Sequence, residues 1–336
     1  MHMADALVSP AVGGIMLAAS AGAIAYSTYK CKDDLDEKKI PLMGVMGAVI
    51  FAGQMINFTI PGTGSSGHIG GGILLAALLG PFPAFLTLSA VLLIQALFFA
   101  DGGLLALGAN IWNMGFYACL LIYPLVFRPL VKKGITKGRL TLASVLSVVL
   151  ALQLGAFSVV VETLASGVTE LPFSAFVALM QPIHLAIGLV EGLVTAAILL
   201  FVYNMRPELI EASAHNQKLS SDLPLKKVMA TLLIFAVVVG GGLSLFASSN
   251  PDGLEWAMEN VAGTTELESD GNVYDTAESV QSSTAFMPDY SLKSADDGSA
   301  VGTSLSGVIG GGITLLLAAG TGSLIYFIKK RKEKTA

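Results

Sequence analysis

The stretch Ala175-Phe-Val-Ala-Leu-Met-Gln-Pro-Ile-His184-Leu-Ala-Ile-Gly-Leu-Val-Glu191-Gly-Leu-Val-Thr-Ala-Ala-Ile-Leu-Leu-Phe-Val-Tyr-Asn204 is apolar throughout, broken by one imidazole and one carboxylate. It exceeds the roughly 20 residues that a helix needs to cross a bilayer. Eight further apolar runs, at 11–29, 41–58, 69–80, 83–99, 105–127, 140–161, 228–247 and 306–328, surround it in the chain. Hydrophobic residues make up 54% of the sequence, charged ones 13%, and mean hydropathy is +0.72. Soluble domains carry about 25% charged residues. The chain therefore reads as an all-α, polytopic membrane bundle. The run 69–80 is short and bounded by glycines and Pro81, so it is either a short span or a re-entrant piece. Irregular backbone of that kind survives at membrane depth only where protein or a cavity surrounds it.

Charge sets the expected orientation. Of 19 Lys and Arg residues, 18 fall in the segments 30–39, 128–139, 206–227 and 329–334. The positive-inside rule makes all four cytoplasmic. Nine crossings with an outside N-terminus place every one of them inside. Segment 249–305, with eleven acidic residues and one base, Lys293, then faces outward. The first apolar run has no basic residues before it, and Lys30 and Lys32 follow it, so we expect a retained first helix rather than a cleaved leader. Cys31 and Cys119 lack CxxC spacing and read as reduced packing residues.

Two parts are expected. Residues 1–204 form a unit of about seven helices with short connections. Residues 205–227 look like a cytoplasmic linker. Residues 228–336 form two helices carrying the large outer loop 249–305. No basic stripe with interleaved aromatics points to nucleic acid, so no nucleic-acid partner is expected, and membrane lipid is the surrounding medium. Gly62-Thr-Gly-Ser-Ser-Gly67 has the glycine density of a phosphate loop but lacks the Gly-Lys-Ser/Thr ending. It reads instead as a tight turn presenting His68, and the chain contains no ATP-hydrolysing motif.

Four histidines occur in the whole chain. At Met1-His2, a terminal amine, the first amide nitrogen and an imidazole sit on adjacent atoms and can close fused chelate rings on one ion. The His68 imidazole could fill a fourth position. Four nitrogens in a plane suit Ni(II) or Cu(II), then Co(II), better than Mg(II) or Ca(II). The plain alternative is a start residue followed by an incidental histidine. His184 and Glu191 lie seven residues apart on one helix face. Ionisable groups in a membrane helix face the protein interior by default. Their two readings are direct ligation, or a structural pair bonded to neighbours such as Asn110 or Asn113. Asn57, Asn110 and Asn113 lie at outer helix ends, where an amide can hold an imidazole's tautomer or pack helices together. The small-residue runs Gly13-Gly14, Gly70–Gly72 and Gly310–Gly312 permit close helix contact.

These segments together are specific. Met1-His-Met-Ala-Asp-Ala-Leu-Val-Ser-Pro-Ala-Val-Gly-Gly14, Asn57 to His68, Asn110-Ile-Trp-Asn113-Met-Gly115 and His184…Glu191 resemble the CbiM/NikM family. Members are the membrane substrate-binding components of energy-coupling-factor transporters for cobalt and nickel. The likeness covers residues 1–204. The remainder resembles the small CbiN/NikN subunit through Ser249-Asn-Pro-Asp252-Gly-Leu-Glu-Trp256 and Phe286-Met-Pro-Asp289-Tyr290. The resemblance implies Ni(II) or Co(II) as the transported substrate, held by the Met1 amine, the His2 amide and imidazole, and the His68 imidazole. It implies separate ATPase subunits and a coupling transmembrane subunit as partners, and an outer loop that reaches the binding unit through Asp252, Trp256, Asp289 and Tyr290. Family members commonly open Met-His-Ile-Pro-Asp-Gly, and Met3-Ala4-Asp5-Ala6 departs from that while keeping His2. The residues alone also leave open a membrane metalloenzyme built on His2, His68 and His184. That reading finds no HExxH, serine elbow or paired carboxylates. An accessory protein without a ligand is the third reading.

Overall fold

The computed structural model describes residues 2–220, 222–292 and 300–335, the side chains of 33, 34, 300 and 332–335 excepted. Met1 and Lys293 therefore lie outside the described residues. Twelve helices and one small hairpin make up the described chain.

Helix α1 (Pro10–Asp34) starts where Ser9 Oγ accepts from the Val12 amide at 3.4 Å, with Pro10 in the first turn. Both features are helix-start signals. Helix α2 (Lys39–Gln54) leads to the hairpin β1 (Phe58–Ile60) and β2 (Ser65–Gly67), paired Phe58↔Gly67, Thr59↔Ser66 and Ile60↔Ser65. Helices α3 (Gly72–Leu79), α4 (Pro81–Phe99) and α5 (Leu107–Lys132) follow. The middle of α5, Ile111–Phe127, is wound as a wide π-helix, a form met mostly as single turns at functional sites. Helix α6 (Lys137–Ser166), capped by the Thr136 hydroxyl, pairs with α7 (Phe173–Met205) in the largest helix contact of the fold. Then come α8 (Pro207–His215) and α9 (Lys226–Gly241), and α10 (Gly253–Ala262), α11 (Asn272–Thr284) and α12 (Ala300–Thr335) complete the chain.

Among the described residues, six helices are long and apolar enough to cross a membrane: α1, α4, α5, α6, α7 and α12. The other three apolar runs fold into the shorter α2, α3 and α9. On α6, Leu142, Leu146, Leu150, Leu154, Phe157, Val161 and Leu164 form an exposed apolar stripe at helical spacing, as a lipid-facing surface requires.

The run 69–80 folds as helix α3. Its eight residues are all buried, and at 1.5 Å per residue they rise only about 12 Å, well short of the bilayer core. At one end, the Gly71 amide donates to Glu191 Oε1 at 2.9 Å. Toward the other, Ser213 Oγ of α8 donates to the Ala76 carbonyl at 2.8 Å. So α3 is a short buried helix packed against α8, whose Leu209, Ile210, Ala212, Ser213 and Ala214 are buried. The segment expected as a bare linker thus contains a packed helix. Basic segments gather around it. Arg128 donates to the Ala214 carbonyl at 2.8 Å and Lys38 to the Leu223 carbonyl at 3.2 Å, while Lys330 lies 3.8 Å from Glu37.

Helices α9 and α12 flank α2. They approach closely at Gly310, where a Cβ would fall 2.1 Å from the Phe51 ring. Not all of the small-residue runs serve this purpose, because a Cβ on Gly14 or Gly312 would meet open space. The outer loop contains α10, α11 and a 3-10 turn at Pro288–Tyr290. Asp252 Oδ1 accepts from the Leu254 and Glu255 amides, and Glu255 returns a bond to the Asp252 amide, which closes a capping box at the start of α10. Cys31 and Cys119 are buried thiols.

Candidate metal centre

The N-terminal segment threads into the bundle and is held there by its backbone. Asn110 brackets Met3: the Met3 amide donates to Asn110 Oδ1 at 2.7 Å, and Asn110 Nδ2 donates to the Met3 carbonyl at 3.1 Å. The same carbonyl accepts from the Gly103 amide at 2.9 Å, and Asp5 Oδ1 accepts from the Ala106 amide at 2.9 Å. A Cβ on Gly103 would sit 1.9 Å from Asp5 Oδ1, so the loop closes over the segment only with glycine there. Met3 is fully buried, and its sulfur accepts from Asn113 Nδ2 at 3.7 Å. These contacts set the next residue toward the terminus, His2.

The His2 and His68 rings stack with centroids 5.1 Å apart and planes inclined by 19°. The hairpin delivers His68, which follows directly on Gly67 at the end of β2. Gly62 and Gly64 take positive φ in its turn, where side chains other than glycine are strained. The expected tight turn before His68 is therefore this hairpin. His68 Nδ1 lies 3.1 Å from its neighbour's carbonyl, that of Ile69. His2 Nδ1 lies 3.2 Å from Asp101 Oδ1, and only 8% of the His2 side chain is exposed. Burial holds both imidazoles below the usual histidine pKa, His68 well below it. At neutral pH both rings are uncharged, the form that binds metal.

His68, His184, Glu191 and Asn113 line one cavity of about 30 Å³, together with Gly70, Gly72 and Gly253. That is room for about one water-sized occupant. His184 Nδ1 is turned to the Met180 carbonyl at 2.8 Å. His184 Nε2, Glu191 Oε2 and Asn113 Oδ1 are buried without a hydrogen-bond partner among the described residues. The neighbours proposed for the His184 and Glu191 pair differ from those found: Glu191 binds the Gly71 amide, and Asn113 Nδ2 donates to Glu162 Oε2 at 2.7 Å. None of the hydrogen bonds found for Asn110 or Asn113 reaches an imidazole. Asn57 contributes its carbonyl, which accepts from the Ser248 amide at 2.7 Å.

The C-terminal part roofs the site. Pro251 and Asn250 carbonyls accept from the amide and hydroxyl of Ser66, both at 2.8 Å. Trp256 Nε1 donates to the Thr63 carbonyl in the hairpin turn at 2.9 Å. Gly253 lies over His184, and a Cβ there would approach His184 Cε1 to 3.0 Å. Phe286 packs on Phe98 and Phe99, and Tyr290 stacks on Phe99 at 5.1 Å. The Tyr290 hydroxyl donates to Asp101 Oδ2 at 2.5 Å. Asp252 caps α10, and Asp289 takes a left-handed backbone, φ 48°, in the turn before Tyr290.

The structure thus brings His2, His68, His184, Glu191 and Asn113 into one polar region, with Asn110 holding the strand that carries His2. Among the described residues, no three His, Cys, Asp or Glu side chains are grouped as a metal cluster. Backbone nitrogen would have to supply the remaining donors. Sequence reading passed over Asp101 and Glu162. The signal was present, since Asp101 is the single carboxylate between Glu37 and Glu162.

Comparison with known proteins agrees with this layout. Residues 2–209 match the family model described as cobalt uptake substrate-specific transmembrane region, and residues 226–327 match that of a PDGLE domain. A chain of Archaeoglobus fulgidus, provisionally named a fused nickel transport protein NikMN, is 31% identical over 94% of this chain and 96% of its own. The fused nickel transport protein NikMN of Rhodobacter capsulatus is 32% identical over 77% of this chain and 76% of its own. The cobalt transport protein CbiM of Geobacter sulfurreducens is 30% identical over 62% and 61%. A crystal structure of a truncated transition metal transporter superposes with a TM-score of 0.54 at 28% identity, covering 61% of this chain and 99% of that one.

Proposed function

The chain belongs to the family of cobalt uptake substrate-specific transmembrane regions, and from that premise we propose that it captures Ni(II) at the outer face of the cell membrane for ATP-driven import. It is a multi-pass membrane protein of metal transport, from a family of transporter components. In our reading, residues 1–204 form the binding unit and residues 228–336 a loading unit joined through 205–227. Nine passages place the N-terminus outside and the basic end in the cytoplasm. Separate ATPase subunits and a coupling transmembrane subunit supply the energy.

The observation that carries the proposal is the stacked, buried His2–His68 pair at the terminus of the chain. In our reading, the Met1 amine, the His2 amide and the His2 and His68 imidazoles make up a four-nitrogen set. A planar set of that kind favours Ni(II), with Co(II) the alternative cargo. The relatives that share both parts of the chain and carry nickel in their names support the same choice.

Metal content of the purified protein tests this. With a free N-terminus the chain should carry stoichiometric Ni(II) after loading. With a single added N-terminal residue, or with His2→Ala, it should carry none while still inserting into the membrane. Full nickel content in the extended chain would refute the ligand set.

A further inference from the structure

Three left-handed, non-glycine residues cluster around one carboxylate. Among the described residues, four non-glycine positions have positive φ: Ala100 (54°), Asn216 (53°), Asp289 (48°) and Tyr290 (56°). Ala100 precedes Asp101. Asp289 and Tyr290 are consecutive, and the hydroxyl of Tyr290 ends on Asp101. Strained backbone persists only where surrounding contacts over-determine it, and it concentrates at working sites. Here the contacts are specific. Ser306 Oγ donates to the Tyr290 carbonyl at 3.0 Å, Gln95 Nε2 donates to the Tyr290 hydroxyl at 3.3 Å, and Phe99 stacks on its ring. The two oxygens of Asp101 are then divided between the two parts of the protein. Oδ2 accepts from Tyr290 at 2.5 Å, and Oδ1 faces His2 Nδ1 at 3.2 Å.

We propose that Asp101 sets the pose of His2, and that Tyr290 tunes Asp101, so that the C-terminal part governs the rate of ion capture at the terminal site. This rests on the metal-capture reading above. A chelate ring from the His2 amide closes through Nδ1, the ring nitrogen nearer the backbone. In the structure that nitrogen is engaged by Asp101. The His2–Asp101 contact is therefore a latch that opens when the ion is taken. A hydroxyl donated to Oδ2 withdraws charge from the carboxylate and weakens its grip on His2. Burial and the Asp101 charge raise the Tyr290 phenol well above its ordinary pKa, so it remains a donor. Asp101 and Tyr290 are thus positioning residues. Neither is a ligand.

The test follows Ni(II) uptake by the full-length protein with a free N-terminus in stopped flow, reading the absorption of the planar four-nitrogen complex. Tyr290→Phe keeps the ring, the stack and the net charge. It should slow capture about ten-fold, the scale of one hydrogen bond to a charged group, and leave the final spectrum unchanged. In an Asp101→Asn background the same substitution should change the rate less than about two-fold, because there is no carboxylate left to tune. Equal slowing in both backgrounds would show that Tyr290 acts by packing alone, and no slowing in either would show that it does not act. Both overturn the proposal. Failure of the unsubstituted protein to form the planar complex would instead overturn the underlying metal-capture reading.

Discussion

Asn110→Ala should uncouple metal affinity from the stability of the bundle. Asn110 is 2% exposed, and its side chain makes both hydrogen bonds that clamp the Met3 backbone, at 2.7 and 3.1 Å. Alanine removes both. The Met3 carbonyl keeps the Gly103 amide as a donor, but among the described residues no other acceptor is seen for the Met3 amide. The net worth of a hydrogen bond is about 0.5–1.5 kcal/mol, and a buried orphaned group costs about 1–3 kcal/mol. The bond lost from the Met3 carbonyl and the orphaned Met3 amide together amount to about 1.5–4.5 kcal/mol. At about 1.4 kcal/mol per decade, that is roughly 10-fold to about 1,500-fold. The cost should fall on binding, because residues 2–8 can leave their groove without any spanning helix unfolding. A chelator-competition titration with Ni(II) reads the affinity, and thermal unfolding of the metal-free protein reads the bundle. Affinity should fall by the stated factor, with the unfolding midpoint of the metal-free protein nearly unchanged. An affinity within about three-fold of the parent would refute the argument that this clamp pre-organises the site.

His68→Ala should abolish the planar complex, whereas His184→Ala, which loses a bond to Met180 and enlarges the cavity, should weaken binding or stability while keeping the spectrum. A calorimetric titration with the two effects reversed would reject the assignment. In the pH dependence, lowered imidazole pKa values mean that the unfolded chain binds more protons below about pH 6.5. The histidine contribution to metal-free stability is therefore complete above that pH and is lost as pH falls toward the folded-state values. Ni(II) affinity, by contrast, should keep rising between about pH 6.5 and 8, where a terminal amine sheds its proton. Competition titrations that plateau above about pH 6.5 would show that the amine is not a ligand. Deleting residues 228–336 should stop cellular nickel uptake with all partner subunits present, yet leave binding of directly supplied metal intact. Uptake at the full-length rate would show that the roof is dispensable.

The membrane class was legible because composition and periodicity are properties of long windows, and a bilayer enforces them residue by residue. The run 69–80 was not. The packing of α8 on its eight helical residues joins Ala76 to Ser213, which no local pattern encodes. The outer loop shows the opposite case. Asp252 and Glu255 are a capping box in plain sequence, so helix α10 was readable from local chemistry before its packing was known. At the candidate site, the histidines stood out by rarity, but their controllers did not. Asn110 looked like a partner for an imidazole, and it holds a backbone instead. Asp101 drew no notice, although a lone carboxylate between two apolar spans is costly unless it is engaged. Its engagement is shared between His2 and Tyr290, residues 288 positions apart in the chain. That separation is why the fusion matters physically. A hydrogen bond across the two parts persists only while the C-terminal roof is seated on the hairpin through Ser66 and Thr63. The turn that strains Asp289 and Tyr290 is held by Ser306 at the start of the last membrane helix, so seating the roof and setting the pose of His2 are coupled steps.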